Sequence, residues 1–156
     1  HAAETLTGQS LGRKQSDDVL RTIRLTGINM LLMALLLTLA FALSGSYLFR
    51  LLTDNPDLLP VLNEYRWFLF FLPLMGMPSF WLDGIFIGAQ ATAQMRNAMI
   101  LSVLLVFIPV WLAGQSQTLN LGNSGLWFAF YAFMLARAFF MGGTFLTLLK
   151  RPQNFM

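Results

Sequence analysis

The sequence predicts an all-α integral membrane protein, and three observations carry that prediction. Hydrophobic residues make up 56% of the chain and charged residues 11%, less than half the roughly 25% charge of an ordinary soluble domain. Mean hydropathy is +0.63. The apolar residues come in long blocks, whereas a soluble chain of this length needs far more polar surface to cover its core. A membrane barrel would show short alternating segments instead. Long apolar blocks are therefore read as helices, which satisfy their own backbone groups in lipid.

Taken in chain order, residues 1–12, "HAAETLTGQSLG", lack the basic start and apolar middle of a signal peptide. They read as the cytoplasmic end of a transmembrane helix whose beginning lies upstream. Residues 13–24 read as a cytoplasmic connection, in which Ser16 and Asp17 can cap an interfacial helix at "DDVLRTIR". Four spans follow, at about 25–50, 66–94, 97–114 and 125–149. Each approaches the roughly 20 helical residues that cross a hydrocarbon core of about 30 Å. Leu25 to Phe49 of the first is free of charge, Trp67 onward in the second contains only Asp83, and the fourth contains Arg137. Asp57 can cap the approach to the second span, with Pro60 in a first turn where a missing N–H costs little. Residues 152–156 read as a cytoplasmic tail.

Basic residues orient the spans. Arg13, Lys14, Arg21, Arg24, Arg96, Lys150 and Arg151 fall on one side, and Arg50 and Arg66 on the other. The richer side is the expected cytoplasmic one, which puts the C-terminus in the cytoplasm. Tyr65, Trp67, Trp111 and Trp127 sit near the opposite ends, where aromatic belts form. The same rule, with anionic headgroups as partners, accounts for the formal net charge of +3 without nucleic acid.

The second span carries the candidate site. Pro73 and Pro78 interrupt its hydrogen-bond ladder, so it is expected to be kinked or locally unwound. At helical spacing Gly76, Ser79, Asp83, Ile87, Gln90 and Gln94 share a stripe. Ser79 and Gln90 read either as pathway residues or as part of a polar seam between helices. Asp83 is different, because a central aspartate costs roughly 2.5–3.5 kcal/mol on insertion scales and such residues face a cavity or a partner. A carboxylate there can exchange a proton, as a proton-coupled transporter requires; the alternative is a permanent ion pair with Arg137. Both spans run in the same direction, and the two residues differ in depth by roughly 7 Å at 1.5 Å per residue. Gly84 and Gly88 form a small-xxx-small pair suited to close helix approach. The 15 Phe and 9 Met residues suit either helix interfaces or a surface for varied ligands.

Several chemistries are excluded as readings. With no cysteine and a single histidine, His1, an ordinary zinc site cannot be built. No G-x-x-x-x-G-K-[ST] phosphate loop is present, "GQSLG" is not a dinucleotide fingerprint, and no nucleophile–base set assembles on one side of a membrane. An enzyme, and a resident cofactor, are not expected.

"AAETLTGQSLGR", "LDGIFIGAQATAQMRNAM" and "LGNSGLWFAFYAFMLAR" together resemble the C-terminal part of multidrug and toxic compound extrusion (MATE) transporters, and "DGIFIGA…MRNAM" resembles the DinF branch. The resemblance implies a twelve-helix transporter of two six-helix lobes. This chain would supply the end of helix eight and helices nine to twelve, so that 25–151 is part of the C-terminal lobe and an N-terminal lobe of the same protein is its partner. It implies antiport in the bacterial inner membrane, with organic cations or other amphipathic compounds exchanged for protons or sodium. The branch's main coupling aspartate lies on the first helix; other branches carry an acidic residue on the tenth, about one turn from Asp83. A lipid-linked precursor flippase of the same superfamily is the alternative, and a non-transporting membrane scaffold is the alternative from another class.

The charge asymmetry makes a prediction. Cysteines placed at Ser116 and at Gln153 in the full-length protein should be labelled by an impermeant reagent from opposite sides of the membrane. Equal labelling of both from one side would overturn the topology.

Overall fold

A computed structural model describes residues 2–12, 16–45, 47, 49–50, 53, 55, 57–117 and 119–150. Arg13, Lys14, Asp54, Arg151, Gln153 and the tail 152–156 lie outside the described residues, as do the side chains of Ser16, Asp17 and Lys150. The described chain folds as helices: α1 (Ala2–Gly12), α2 (Ser16–Ser44), α3 (Leu58–Glu64), α4 (Arg66–Gly88), α5 (Thr92–Ser102), α6 (Ile108–Gln115) and α7 (Gly122–Lys150), with a π-helical turn, Val103–Phe107, joining α5 to α6. Four segments are long and apolar enough to cross a membrane: Val19–Ser44, Arg66–Gly88, Thr92–Gln115 and Gly122–Leu146. The protein is therefore the all-α membrane type that its composition predicts.

The helix ends differ from the apolar blocks for identifiable reasons. Residues 16–24, expected as a connection, are the opening turns of α2. That helix stops at Ser44, well before residue 50, because Gly45 takes a left-handed conformation (φ +50°) and returns its N–H to the Phe41 carbonyl at 3.3 Å. Asp57 precedes α3 but makes no side-chain capping bond. The second span ends at Gly88 rather than near 94. Gln90 adopts φ +56°, and the N–H groups of Gln90 and Ala91 bond back to Ile87 and Phe86 at 3.0 and 2.8 Å. This pair of bonds closes a helix C-terminus around a left-handed residue. The stripe drawn through Gln90 and Gln94 is broken there, since Gln94 belongs to α5.

Pro73 and Pro78 do not unwind α4, which is helical from Arg66 to Gly88. Each removes one N–H and crowds the carbonyl four residues earlier. Next to the first gap, the Tyr131 hydroxyl from α7 donates to the Phe68 carbonyl. The third span accommodates its proline differently. Pro109 follows the Val103–Phe107 turn, where the wider i→i+5 spacing absorbs one extra residue without ending the helix.

Contacts give the relative directions. Phe68 of α4 stacks on Trp127 and meets Phe128 edge-on, with centroids 5.5 and 5.3 Å apart. Further along, Trp81 meets Phe145 at 6.4 Å, so α4 and α7 run parallel. On the opposite course, α2 places Val19 and Ile23 in one buried cluster with Ile85 and Phe86, and Thr26 accepts from the Trp81 indole at 3.3 Å. The third span is antiparallel to α7, with Phe107 against Phe133 and Gly114 against Gly125. Leu82, Ala98, Met141 and Phe145 complete the buried cluster, which gathers α2, α4, α5 and α7 at one end of the bundle.

Two glycine contacts set how closely helices approach. A methyl placed on Gly88 would strike the Glu4 backbone oxygen, and one on Gly84 would lie 2.9 Å from the Ala3 β-carbon. Thus α1 rests directly on the last turns of α4. Gly88→Ala should destabilise the protein by about 1–3 kcal/mol, the usual cost of overpacking. Gly143→Ala, where nothing lies within 4 Å, should instead be neutral or stabilise by about 0.5–1 kcal/mol through helix propensity. Melting curves of the two variants beside the wild type check the contrast; equal midpoints would overturn the close α1–α4 contact.

Candidate functional site

The site is built from one face of α4 and one of α7. Asp83 occupies the last third of α4, and the parallel course of the two helices brings Arg137 of α7 towards it. The Arg137 Nη2 donates to both carboxylate oxygens of Asp83, at 2.6 Å to Oδ1 and 2.7 Å to Oδ2. The side chains are 7% and 15% exposed, arginine first. Neither charge is isolated, which is the requirement for holding either in a low-dielectric interior. Of the two arrangements open to Asp83 from sequence, a cavity-facing carboxylate and an ion pair with Arg137, the pair is the geometry observed.

The bond leaves capacity unused. Arginine offers five N–H donors, and here Nη2 alone reaches Asp83. The Nε is buried with no hydrogen-bond partner. Ser79, one turn before Asp83 on the same face, is 0% exposed, and its hydroxyl is also unpartnered. Buried polar groups without partners are uncommon and costly, so two beside one ion pair mark a place where hydrogen bonding is incomplete.

Not every candidate converges here. Asp83 and Arg137 meet between α4 and α7, and Ser79 shares the Asp83 face of α4 by helical spacing, whereas Gln90 is exposed in the turn beyond α4 and serves as its left-handed terminator. Gly84 and Gly88 face α1. Ile87, placed on the stripe by periodicity, is 38% exposed. Two residues that hold α4 to its neighbours escaped the sequence reading. Tyr131 fixes the far end of the α4–α7 contact through Phe68, and the one available signal was a phenol inside an apolar span, which needs a partner when buried. Thr7 of α1 is 1% exposed with an unpartnered hydroxyl; its burial depends on Gly88, which sequence spacing could not pair with it.

Comparison with known proteins follows the same lines. The sequence profile of the family described as MatE matches residues 1–112. DNA damage-inducible protein F of Escherichia coli strain K12 is 30% identical over 141 residues, covering 88% of this chain and 29% of that protein. The chain thus spans less than a third of the length of the curated relative it matches. No solved structure matches it. With the profile covering most of its length and a DinF-like relative aligned across nearly all of it, the chain belongs to the MatE family.

Proposed function

We propose that this chain is part of a secondary active transporter, an antiporter of a bacterial inner membrane with its C-terminus in the cytoplasm. In this reading it exports organic cations or other amphipathic compounds in exchange for protons or sodium ions, and it is not an enzyme. Family membership supports the transport class. The observation that carries the reading to a site is the Asp83–Arg137 pair between two spans. As a pair it is neutral. A proton or a cation arriving at Asp83 leaves the site with a single positive charge in either case, so the two compete for the same carboxylate. An anionic lipid-linked headgroup has no such fit at this pair, because the Arg137 guanidinium is already neutralised by Asp83. The remaining helices of the full-length protein would enclose the other side of the pathway, and Gln90, in its exposed turn, would stand at the pathway's end rather than at the carboxylate.

The test uses the full-length protein. Removing one member of a buried pair costs about 3–5 kcal/mol, so Asp83→Asn should lower both thermal stability and export. Asp83→Asn with Arg137→Gln removes both charges and should recover stability. If Asp83 exchanges its charge during transport, the double variant remains inactive, as read by efflux of a cationic dye. Normal efflux by the stable double variant would reduce the pair to a structural bridge and overturn the proposal.

A further inference from the structure

Several buried hydroxyls of this bundle bond back within their own helix, and Ser79, like Thr7 and Thr38, does not. Ser10, Thr26, Ser102 and Thr144 each donate to the carbonyl four residues earlier in their own helix, at 2.9, 2.8, 2.7 and 3.1 Å. This is the usual resort of a helical serine or threonine with no better partner. The Ser79 hydroxyl, at 0% exposure, has no partner. Within the same helix contact the Arg137 Nε is likewise buried and unpartnered. One group can accept a hydrogen bond and the other can only donate.

Register brings the two together. With Phe68 opposite Trp127, Phe128 and Tyr131, the Arg137 backbone falls level with α4 residues before Ser79. Its side chain must extend along α4 to reach Asp83, so it passes the level of Ser79, about 6 Å short of Asp83 at 1.5 Å per residue. The nitrogens nearest its backbone lie on that side.

We propose that Ser79 is a positioning residue for Arg137: it receives the guanidinium whenever Asp83 loses its negative charge. In the resting pair the hydroxyl stands idle. When a proton or a cation neutralises Asp83, Arg137 becomes an uncompensated buried charge, and Ser79 supplies the acceptor that keeps it from disrupting the helix contact. The inference rests on reading Asp83 as a carboxylate whose charge changes. Its test does not measure transport, so the two can fail separately.

The experiment is a double-mutant cycle on the full-length protein, read as the melting midpoint of detergent-solubilised membranes, where no purification is needed. Ser79→Ala alone should leave the midpoint unchanged, since the hydroxyl has no partner to lose. On an Asp83→Asn background, where position 83 is neutral, the same substitution should lower the midpoint further, and Ser79→Thr should not. The dependence should be stronger on Asp83→Leu, which leaves no acceptor at 83. It should vanish when Arg137→Gln is added. Equal shifts from Ser79→Ala with Asp83 charged and neutral would overturn the proposal, as would a loss on the neutral background that persists without Arg137. An additive cycle beside a stable, export-dead Asp83/Arg137 double variant would remove the role of Ser79 alone.

Discussion

Hydrocarbon offers no hydrogen bonds, and most of what the chain does locally answers that constraint. Backbone groups are satisfied inside helices, and buried serines and threonines bond back to their own carbonyls. Tyr131 reaches across to Phe68, and the Trp81 indole to Thr26. The same constraint makes Asp83 and Arg137 inseparable, because either alone would be a bare charge in a medium that cannot screen it. It also gives the four unpartnered groups among the described residues, at Thr7, Thr38, Ser79 and the Arg137 Nε, their significance. In water such atoms would be unremarkable; in this setting each needs a reason.

The helix α4 is where these demands meet. It touches α1 through Gly84 and Gly88, α2 through Trp81, and α7 through Phe68 and Asp83. Its prolines and glycines would be costly in a soluble helix, yet here they let backbones approach closely, and the neighbours keep the helix intact. The third span solves the same problem by different means, taking a π turn ahead of Pro109. Two proline-containing spans in one chain thus reach continuity by packing in one case and by a change of helical pitch in the other.

The exposed apolar surface, including much of α2 from Leu31 to Leu43 and Phe139 of α7, fits a chain that spans 29% of the length of its relative. Lipid and the other helices of a full-length protein are the surroundings such faces require. Within that frame the Asp83–Arg137 pair is neutral without any group from outside the described residues.

The sequence by itself determined the fold class. Helicity and membrane insertion depend on apolar run length and on the scarcity of charge, which are local properties, and one carboxylate and one guanidinium inside apolar runs were conspicuous for the same reason. That Asp83 and Arg137 meet required a parallel course, which an even number of crossings supplies, and a rotation of the two helices towards each other, which it does not. Tertiary structure decided the rest. Whether a proline unwinds a helix depends on what its neighbours can supply, and where α4 ends depends on a left-handed Gln90, a conformation the residue type does not favour. Gly88 matters because of Glu4 and Thr7, and Ser79 because of Arg137; partners on other helices are fixed by azimuth and packing, quantities that no single run of residues contains.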